Sequence, residues 1–504
     1  MIDFTPVVRP WFLKRVRESE SWLHNTEEVQ RRELDRLLTV GRRTLWGVEH
    51  GLEEAWDYDS FRNALPRPVT YPELRPWIMR MINGEKNLLW EGVTHNYAQS
   101  SGTSDGKSKY IPITAESFHR SHYKGGGDVV SHYLNLYPES RIFSGKSFIL
   151  GGSFANELKL PHGVRVGDLS ANLIENINPI ANMVRVPAKE TALMQDWLKK
   201  LPALVEESLN EDITNISGVP SWFLTVLKEV LKRAGVSNIH DVWKNLEVFF
   251  HGGISMTPYR EQYAKITSPN MRYLETYNAS EGFFAVQNAI DDPSMLLLLD
   301  CGTFYEFIPI DQVDDDRPEI LPAWKVEEGE IYAMIITSCN GLWRYPIGDT
   351  VKIESVDPLK ITIAGRTKNY INAFGEELMV QNAEAALSKV CHELDCEIAN
   401  YTAAPVYAAD NTRGRHEWLI EFEKEPASVS EFAEKLDKAL QQENSDYEAK
   451  RSHGIFLDPL TVIKGKKGVF ESWLASTGKL GGQRKVPRLS NTRHPMDEIL
   501  EFNR

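Results

Sequence analysis

The chain has 504 residues, with 57 lysines and arginines against 71 aspartates and glutamates, so its formal charge is -14. Hydrophobic residues make up 42% and charged residues 25% of the chain, an ordinary globular composition that excludes a disordered or collagen-like protein. At roughly 150 residues per domain, the length predicts about three folding units. The acidic balance argues against general binding to nucleic acid or to an anionic membrane, since both need an excess of basic residues.

Cysteine use and apolar runs predict the compartment. The four cysteines are too few and too widely spaced for a disulfide framework. Residues 1–17 mix charged with apolar side chains, unlike a secretion signal. The longest apolar runs, such as residues 295–299 and 331–336, are far shorter than the roughly 20 residues that cross a bilayer. We therefore expect a cytoplasmic protein.

Hydrophobic periodicity predicts helices first and then an alternation of strands and helices. A helical pattern covers residues 22–38, and proline-rich loops follow. Further along, strands are predicted at residues 147–150 and 246–250, and helices at residues 194–201 and 222–234. Such alternation is typical of an α/β core.

The last two fifths of the chain contain two different patterns. Strands are predicted at residues 295–299, 305–310, 331–337, 350–353 and 361–363. An α+β pattern follows, with helices at residues 376–393 and 429–443 and strands at residues 417–422 and 460–463. A polar stretch at residues 366–369 separates the two. We therefore predict a large domain over residues 1–366 and a small domain over residues 367–504.

The densest cluster of small polar residues is residues 100–109, Ser-Ser-Gly-Thr-Ser-Asp-Gly-Lys-Ser-Lys. Glycines let backbone amides close on an anion, hydroxyls donate hydrogen bonds and lysines neutralise charge, so the segment predicts a phosphate-binding loop. A P-loop is not favoured: Ser101 replaces its first glycine, residues 96–99 are too polar for the preceding apolar strand, and no long helix follows directly. A surface linker is the alternative.

A second candidate region follows an apolar run. Gly252 and Gly253 come where that predicted strand ends, which is where ligands approach the edge of an open α/β sheet. Tyr277 offers a flat face for a ring and Ser280 a hydroxyl. Glu281 supplies a hard oxygen ligand suited to Mg²⁺. Taken singly, such residues are most often structural.

Two more segments lie before and at the predicted domain boundary. Residues 341–349, Gly-Leu-Trp-Arg-Tyr-Pro-Ile-Gly-Asp, predict a turn between two strands. Asp349 at its end could accept hydrogen bonds from two adjacent ribose hydroxyls, although an acid in a Gly-Asp turn often serves only the turn. Arg366 could reach a phosphate or a ribose, and Lys368 could lie at a hinge. A plain polar linker is the alternative.

Residues 464–493 reverse the overall charge, with eight lysines and arginines and a single acid, Glu471. An RNA-binding tail would need more stacking side chains than Phe470 and Trp473 supply. We prefer a loop that presents one lysine to a polyphosphate. A solvated basic face is the other interpretation.

Taken in order, these segments resemble the adenylate-forming superfamily and, within it, the auxin-responsive Gretchen Hagen family of acyl-acid amido synthetases. The resemblance runs from about residue 99 to residue 488 and rests on three signatures at residues 100–109, 277–281 and 345–349. It implies an α/β fold with a large N-terminal adenylate-forming domain, which has mixed sheets and a β-rich subdomain, and a small mobile α+β C-terminal domain. It also implies the reaction: a carboxylic acid attacks the α-phosphate of ATP, and an amine, usually that of an amino acid, then displaces AMP.

The resemblance further implies a role for each candidate residue. The triphosphate is expected on Ser100, Ser101, Thr103, Ser104 and Lys109. Around the nucleoside, Tyr277 is expected to stack on adenine, Asp349 to bind the ribose, and Arg366 to follow the ribose site, beside the strand end at Gly252 and Gly253. For the chemistry, Ser280 is expected near the α-phosphate, Glu281 on Mg²⁺, Lys485 on the charge that develops at the α-phosphorus, and Lys368 at the hinge.

One segment departs from the family pattern. Plant members present an arginine to the acid substrate from the helix after the first signature, but residues 116–127 here cannot be aligned with that helix. His119, Arg120 or His122 could take that role, although each is predicted to lie at the surface. The segment also contains a triple glycine, which is unexpected inside a helix. The identity of the acid therefore does not follow from the resemblance.

The predicted activity is thus an AMP-forming ligase that uses ATP and Mg²⁺ and joins a small carboxylic acid to an amino acid, with neither nucleic acid nor membrane as partner. An acyl-CoA synthetase with a thiol acceptor is the alternative among enzymes. A nucleotide-responsive binding protein is the alternative without catalysis, but the joint presence of Glu281, Asp349 and Lys485 argues against it. The sequence does not specify the acid, the amine or the oligomeric state.

Overall fold

The computed structural model describes residues 3–100, 109–156, 158–253, 256–313, 315, 317–366, 370–371, 376, 378–406, 414–444, 447–448, 451, 457–476, 486–490 and 492–504. For Ser100, Ser221, Pro258, Arg366 and Tyr370, only the backbone is described. Within these residues, no helix is both long and apolar enough to cross a bilayer.

Helices cover most of the first hundred residues, including Tyr71–Ile82, where the sequence predicts proline-rich loops, and then alternate with strands. The α-helices are α1 (Thr5–Glu20), α2 (Thr26–Gly41), α3 (Leu45–Glu49), α4 (Tyr58–Ala64), α5 (Tyr71–Ile82), α6 (Ala115–Ser117), α7 (Tyr123–Leu136), α8 (Leu169–Glu175), α9 (Pro179–Met183), α10 (Lys189–Ala192), α11 (Trp197–Leu209), α12 (Pro220–Ala234), α13 (Arg260–Ile266), α14 (Val380–Glu393), α15 (Val429–Glu443), α16 (Val469–Ser476) and α17 (His494–Phe502). A π-helix, Phe118–His122, joins α6 to α7. Short 3-10 turns cover Leu52–Glu54, Ile142–Ser144, Ile239–Asp241, Thr257–Tyr259, Ile310–Gln312 and Ala323–Lys325.

The strands form one large sheet and three small ones. They are β1 (Asn96–Ser100), β2 (Lys109–Ile113), β3 (Lys146–Ile149), β4 (Arg165–Gly167), β5 (Arg185–Val186), β6 (Ile213–Gly218), β7 (Val248–Gly252), β8 (Arg272–Ala279), β9 (Gly282–Gln287), β10 (Met295–Leu297), β11 (Thr303–Pro309), β12 (Leu321–Pro322), β13 (Ile331–Ser338), β14 (Leu342–Val356), β15 (Leu359–Arg366), β16 (Tyr370–Ile371), β17 (Leu378–Met379), β18 (Glu397–Val406), β19 (Arg415–Lys424) and β20 (Thr461–Gly465).

The large sheet carries the core of the protein. Its order is β12-β11-β13-β14-β15-β10-β9-β8-β7-β6-β3-β5. The strands β5, β3, β6, β7 and β8 are parallel to their neighbours in this order. From β8 to the other edge of the sheet, at β12, all neighbouring strands are antiparallel. In β7, Phe249 faces the apolar cluster of α11, α12 and α13, whereas Val248 and Phe250 face the opposite cluster. Burial on both faces explains why this strand is a continuous apolar run. The predicted α/β class is confirmed.

Helix α12 shows how local sequence sets the layer beside the sheet. It starts with Pro220 at the first helical position, where the missing N–H would have no partner in the helix, and ends before Gly235 at φ +70°. Phe223, Leu227 and Val230 recur at helical spacing and are fully buried. Their burial fixes α12 against the parallel strands.

Two local expectations about the N-terminal half are wrong. The helical pattern predicted from residue 22 begins at Thr26, because residues 21–24 form the turn that separates α1 from α2. The polar residues 96–99 do belong to a strand, β1, which pairs antiparallel with β2 and parallel with β4. Polar residues are accommodated there because Tyr97 and Ala98 supply the fully buried side chains.

The small unit has its own core. Strand β18 pairs antiparallel with β19, and β19 pairs parallel with β20. One buried cluster includes side chains of α14 and α15, and another includes those of α16 and α17. Helix α15 has the predicted bounds, whereas the helix predicted from residue 376 starts at Val380, since Leu378 and Met379 pair with β16 instead. The boundary between residues 366 and 367 stays a prediction.

Candidate nucleotide site at the edge of the parallel strands

Two glycines let strands β7 and β8 approach at their carboxyl ends. Gly252 is the register partner of Thr276, and a Cβ atom on Gly252 would lie 2.4 Å from the Thr276 carbonyl oxygen. Gly253 has φ +82°, a conformation that favours glycine. Both glycines are therefore required by the backbone. They bring the end of β7 beside Tyr277, the residue that follows Thr276.

Tyr277 and Asp349 contact each other directly. Tyr277 is buried, and its hydroxyl donates a 2.6 Å hydrogen bond to Oδ2 of Asp349. The two side chains meet although β15, β10 and β9 lie between their strands in the order of the sheet. Asp349 itself lies inside β14, opposite Arg366 of β15, so the predicted turn at residues 341–349 is wrong beyond Gly341. Gly348, at φ +85°, distorts the strand without ending it.

Lys109 lies among aromatic rings at the start of β2. Its ammonium group donates a 3.2 Å hydrogen bond to the Tyr345 hydroxyl and lies 5.7 Å from the centre of that ring and 5.6 Å from that of Tyr71. The Tyr71 hydroxyl in turn accepts a 2.6 Å hydrogen bond from the amide of Tyr110. Burial, with a smaller contribution from the charge of Glu281, raises the pKa of Tyr71 to about 12. Lys109 thus joins the first signature to Tyr345 of the third.

The turn that carries Ser280 and Glu281 joins β8 to β9, and both residues are buried. The side-chain amide of Asn340 donates a 3.0 Å hydrogen bond to the Glu281 carbonyl. On the other side, the Ser121 hydroxyl accepts a 3.0 Å hydrogen bond from the amide of Phe283. Contacts from two separate elements therefore fix the backbone from which the Glu281 carboxylate projects.

The carboxylate of Glu281 is a suitable ligand for Mg²⁺. Mg²⁺ prefers oxygen ligands, and in nucleotide sites the protein usually supplies one or two carboxylates while phosphates and waters complete the octahedron. Glu281 is such a carboxylate: it is buried, and its charge contributes to the raised pKa of Tyr71, the ring next to Lys109.

Three domain models of one family match the chain. The GH3 family N-terminal domain matches residues 15–270, the GH3 family central domain residues 296–366, and the GH3 family C-terminal domain residues 381–494. The first match alone spans half of the chain.

The chain belongs to the GH3 family. The resemblance stated from the three signatures is therefore confirmed, and the curated GH3 relatives extend over nearly all of the chain. An indole-3-acetic acid-amido synthetase, GH3.3 of Arabidopsis thaliana, is 22% identical over 97% of this chain and 93% of its own length. A jasmonoyl–L-amino acid synthetase, JAR4 of Nicotiana attenuata, is 23% identical over 97% of this chain and 95% of its own.

Solved structures share the fold of this GH3 protein. The acyl acid amido synthetase AtGH3.15, in complex with 2,4-DB, superposes with a TM-score of 0.80 at 18% identity, over 100% of this chain and 97% of that one. A 2-hydroxyisobutyryl-CoA ligase in the postadenylation state superposes with a TM-score of 0.59 at 11% identity, over 94% and 90% of the two chains. The predicted α/β architecture, with a large and a smaller unit, is thereby confirmed.

Several predicted site residues of this GH3 protein lie outside the described residues. They are Ser101, Thr103, Ser104, Lys368 and Lys485. For Ser100 and Arg366 only the backbone is placed, at the end of β1 and of β15. The flanking strands still decide one alternative. Because β1 and β2 are antiparallel neighbours, the serine-rich segment connects two strands, whereas a P-loop connects a strand to a helix.

The segment that departs from the plant pattern is helical throughout. Gly125 lies against Phe283, where a Cβ atom would come within 2.3 Å of the ring, so close packing explains one glycine of the triplet. Arg120 is exposed, as predicted. Its Nη2 atom lies 3.7 Å from Oε2 of Glu33. The expectation of an exposed His122 is wrong: it is buried, and burial lowers its pKa to about 4.

A buried ion pair next to the third signature has no local signal in the sequence. Arg344 binds Glu306 of β11 through two hydrogen bonds of 2.9 and 2.6 Å and also donates to the Leu65 carbonyl. Both charged side chains are almost fully buried. The Tyr58 hydroxyl donates a further 3.0 Å hydrogen bond to Glu306. Arg344 thereby anchors the strand that carries Tyr345 and Asp349.

A cluster of Asp128, Asp300 and Cys301 has ligand atoms within 4.8 Å of one another. It does not fit a metal ion, because cationic side chains already neutralise it. Arg15 of α1 bonds both aspartates at 2.6 to 2.9 Å, and Lys124 lies 2.9 Å from Asp300. These ion pairs attach α1 to α7.

Proposed function

We propose that this GH3 protein is an ATP-dependent ligase that adenylates a carboxylic acid and transfers the acyl group to the amine of an amino acid, with release of AMP and pyrophosphate. One observation carries the proposal: two hydrogen bonds join residues of the three signatures, from Lys109 to Tyr345 and from Tyr277 to Asp349. The curated relatives that extend over nearly the whole chain are amido synthetases, which supports the choice of amide as product.

We assign the nucleoside to the Tyr277–Asp349 pair. A carboxylate can accept hydrogen bonds from two adjacent ribose hydroxyls, and the hydrogen bond from Tyr277 fixes the rotamer of Asp349. The ring of Tyr277 offers adenine a flat partner, with the edge of β7 at Gly252 and Gly253 beside it. Arg366, whose backbone pairs with that of Asp349, is proposed to donate a hydrogen bond to the ribose.

We assign the phosphates to Lys109 and the hydroxyls of the serine-rich segment, Ser100, Ser101, Thr103 and Ser104, with Ser280 near the α-phosphate. The aromatic rings of Tyr71 and Tyr345 keep the ammonium of Lys109 in place at the start of β2. Mg²⁺, when bound at Glu281, would supply positive charge to the phosphate oxygens. Neutralisation and alignment are the main requirements of a phosphoryl-group reaction of this kind.

In the first step, a carboxylate oxygen attacks the α-phosphorus, the bond to the bridging oxygen breaks, and pyrophosphate leaves. Lys485 is proposed to stabilise the negative charge that develops between the carboxylate oxygen and the α-phosphorus. The nucleoside and phosphate sites assigned above are proposed to hold the adenylate. In the second step, the neutral amine attacks the acyl carbon, the bond to AMP breaks, and the amine loses a proton. Rotation of the small unit about a hinge at Lys368 is proposed to expose the adenylate between the steps.

We place the reaction in the cytoplasm, because all four cysteines are free thiols and none is paired in a disulfide. No plant hormone is assigned as the natural acid, since the helix that follows the first signature differs from that of the plant members. The natural acid and amino acid are left to experiment.

The test is an isotope exchange between ATP and pyrophosphate, screened over carboxylic acids with and without amino acids. The proposal predicts that some acids support exchange without any amine, and that amino acids then yield an amide while coenzyme A yields no thioester. A thioester as the sole product would favour the acyl-CoA synthetase. Tight ATP binding without exchange for any acid, and without amide formation, would favour a binding protein without catalysis.

A further inference from the structure

Two of the four cysteines come together where helix α14 ends. The helix closes with a Schellman motif: the amide of Cys396 donates a 3.1 Å hydrogen bond to the Cys391 carbonyl, and the amide of Asp395 donates one of 3.5 Å to the His392 carbonyl. Asp395 has φ +47°, the left-handed conformation that this motif uses. Side chains at the first and last positions of the motif commonly contact each other, so the backbone brings Cys391 and Cys396 together.

The two thiols are hydrogen-bonded to each other. The hydrogen bond from Cys391 lowers the pKa of the Cys396 thiol and more than offsets the opposite effect of burial. The positive charge of Lys424 acts in the same direction as the hydrogen bond. The same hydrogen bond, together with burial, raises the pKa of Cys391. Cys396 is therefore the thiol that ionises first, and the thiolate is the nucleophilic form of cysteine.

Both thiols line a small pocket, so they are within reach of a small solute. Glu261 and Gln262 of α13 line the same pocket opposite α14. Cys391 is partly exposed, whereas only 2% of Cys396 is exposed. The pocket therefore gives a molecule little larger than water a route to the Cys396 sulfur, and it excludes bulky reagents.

The other two cysteines differ from this pair. Cys301 and Cys339 are buried in the large unit. Burial raises the pKa of both thiols, that of Cys339 to about 12. Thiols of this kind stay protonated at neutral pH and react slowly. A purely apolar contact would serve the end of α14 equally well, but it would require neither a hydrogen-bonded thiol pair nor a thiol with a lowered pKa.

We propose that Cys391 and Cys396 are a redox modification site, at which hydrogen peroxide or another small hydroperoxide converts the two thiols into an intrachain disulfide. Two cysteines can be bridged without backbone movement only when their side chains point toward each other, as hydrogen-bonded thiols do. In a reducing compartment, disulfides are mostly transient and redox-sensing. The site lies outside the groups assigned to ATP and does not rest on the proposed function.

The reaction has two steps. The Cys396 thiolate attacks one peroxide oxygen, the O–O bond breaks, and a sulfenic acid forms while the other oxygen leaves as hydroxide and takes up a proton. The Cys391 sulfur then attacks the sulfenic sulfur, the S–O bond breaks, and the Cys391 proton leaves with the hydroxyl group as water. The two thiols lose two electrons, and hydrogen peroxide gains them to give two water molecules. An external dithiol reverses the reaction.

The wild-type protein gives the decisive measurement. Reduced protein is treated with hydrogen peroxide, unfolded, alkylated at its remaining thiols and cut after glutamates, which separates Cys391 from Cys396 at Glu393. Mass spectrometry is expected to find the two peptides joined by a disulfide that dithiothreitol opens. Both thiols are expected to disappear at least about tenfold faster than those of Cys301 and Cys339. Separate sulfinic acids without joined peptides, or equal rates for all four cysteines, would overturn the proposal.

Single variants test the order of the two steps. In Cys391→Ser, a sulfenic acid at Cys396 has no thiol to condense with, so dimedone is expected to label it about tenfold more than in the wild type. Cys396→Ser is the matched control, because it leaves only the Cys391 thiol, and its labelling is expected to stay at the background of Cys301 and Cys339. Equal labelling of the two variants, or more in Cys396→Ser, would overturn the assignment of Cys396 as the attacking thiol.

Discussion

The hydroxyl of Tyr277 donates a 2.6 Å hydrogen bond to Oδ2 of Asp349 and so connects the second signature with the third. The two residues are far apart in sequence, on strands that are not neighbours in the sheet. A hydrogen bond to one oxygen of this buried carboxylate fixes the orientation of the whole group. The contact therefore preorganises a hydrogen-bond acceptor where the ribose is proposed to bind.

Tyr277→Phe is expected to weaken ATP binding about tenfold, because the hydrogen bond that orients Asp349 is charge-assisted. Asp349→Asn is expected to weaken it at least as much, since the charge that accepts the ribose hydroxyls is lost. Isothermal titration calorimetry with ATP measures both. Tyr273→Phe, on the same strand, is the control. Wild-type affinity in Tyr277→Phe and Asp349→Asn would remove the ribose assignment.

Lys485→Ala is expected to slow acid-dependent ATP consumption by about a hundredfold while ATP binding changes little, because the lysine acts on charge that develops only in the transition state. The rate is measured as AMP release in samples quenched at successive times, and ATP binding is measured by calorimetry. Lys479→Ala is the control from the same basic segment. Turnover at the wild-type rate in Lys485→Ala would contradict the proposed role of Lys485 in the first step.

Glu281→Gln is expected to raise the Mg²⁺ concentration that gives half-maximal pyrophosphate exchange, since an amide oxygen is a weaker ligand than a carboxylate. A Mg²⁺ titration at saturating ATP measures the shift. Glu434→Gln, an exposed change in the small unit, is the control. Superimposable titrations for Glu281→Gln and the wild type would count against the proposed metal role.

Glu306→Leu is expected to lower the free energy of unfolding by about 3–5 kcal/mol, because it leaves the buried guanidinium of Arg344 without its carboxylate. Urea unfolding followed by tryptophan fluorescence measures the change. Glu85→Gln, which breaks the exposed pair with Arg80, is expected to change it by less than about 1 kcal/mol. Similar values for the two variants would contradict the structural role of Arg344.

Glu275 predicts a pH dependence of stability. Burial, with a smaller contribution from the charge of Glu384, raises the pKa of Glu275 from 4.5 to about 7. A raised folded-state pKa gives a stabilising contribution that is present below about pH 4.5 and is lost as the pH rises through 7. Glu275→Gln lacks this loss, so its melting temperature relative to wild type should increase from pH 5 to pH 8. A difference that is constant over this range would contradict the shift.

The sequence predicted those elements whose signals are local. Helix α15 was predicted with its observed bounds, because its apolar spacing is regular and Ser428 caps its first turn. Strand β1 was missed because it carries polar residues in a central position, and only its pairing with β2 and β4 shows it. The sequence around Asp349 predicts a turn instead of a strand, because Gly348 adopts a positive φ inside the strand and glycine is typical of turns.

The site was predictable as far as its motifs were local. Residues such as Tyr277 and Asp349 stand in recognisable signatures, and the structure brings them together. Tyr71 has no such signal, because its partner Tyr110 is 39 positions away. Contacts of this kind depend on how helices and strands pack, which periodicity and short motifs do not encode.

The central claim is that a carboxylate of the substrate attacks the α-phosphate of ATP and that an amine then displaces AMP. The most direct test uses an acid that supports exchange, labelled with ¹⁸O in both carboxylate oxygens, together with ATP and the amino acid acceptor. Mass spectrometry is predicted to find one ¹⁸O atom in AMP for each amide formed and none in pyrophosphate. Recovery of the ¹⁸O in inorganic phosphate with ADP as the nucleotide product, or unlabelled AMP alongside the amide, would contradict the adenylate mechanism.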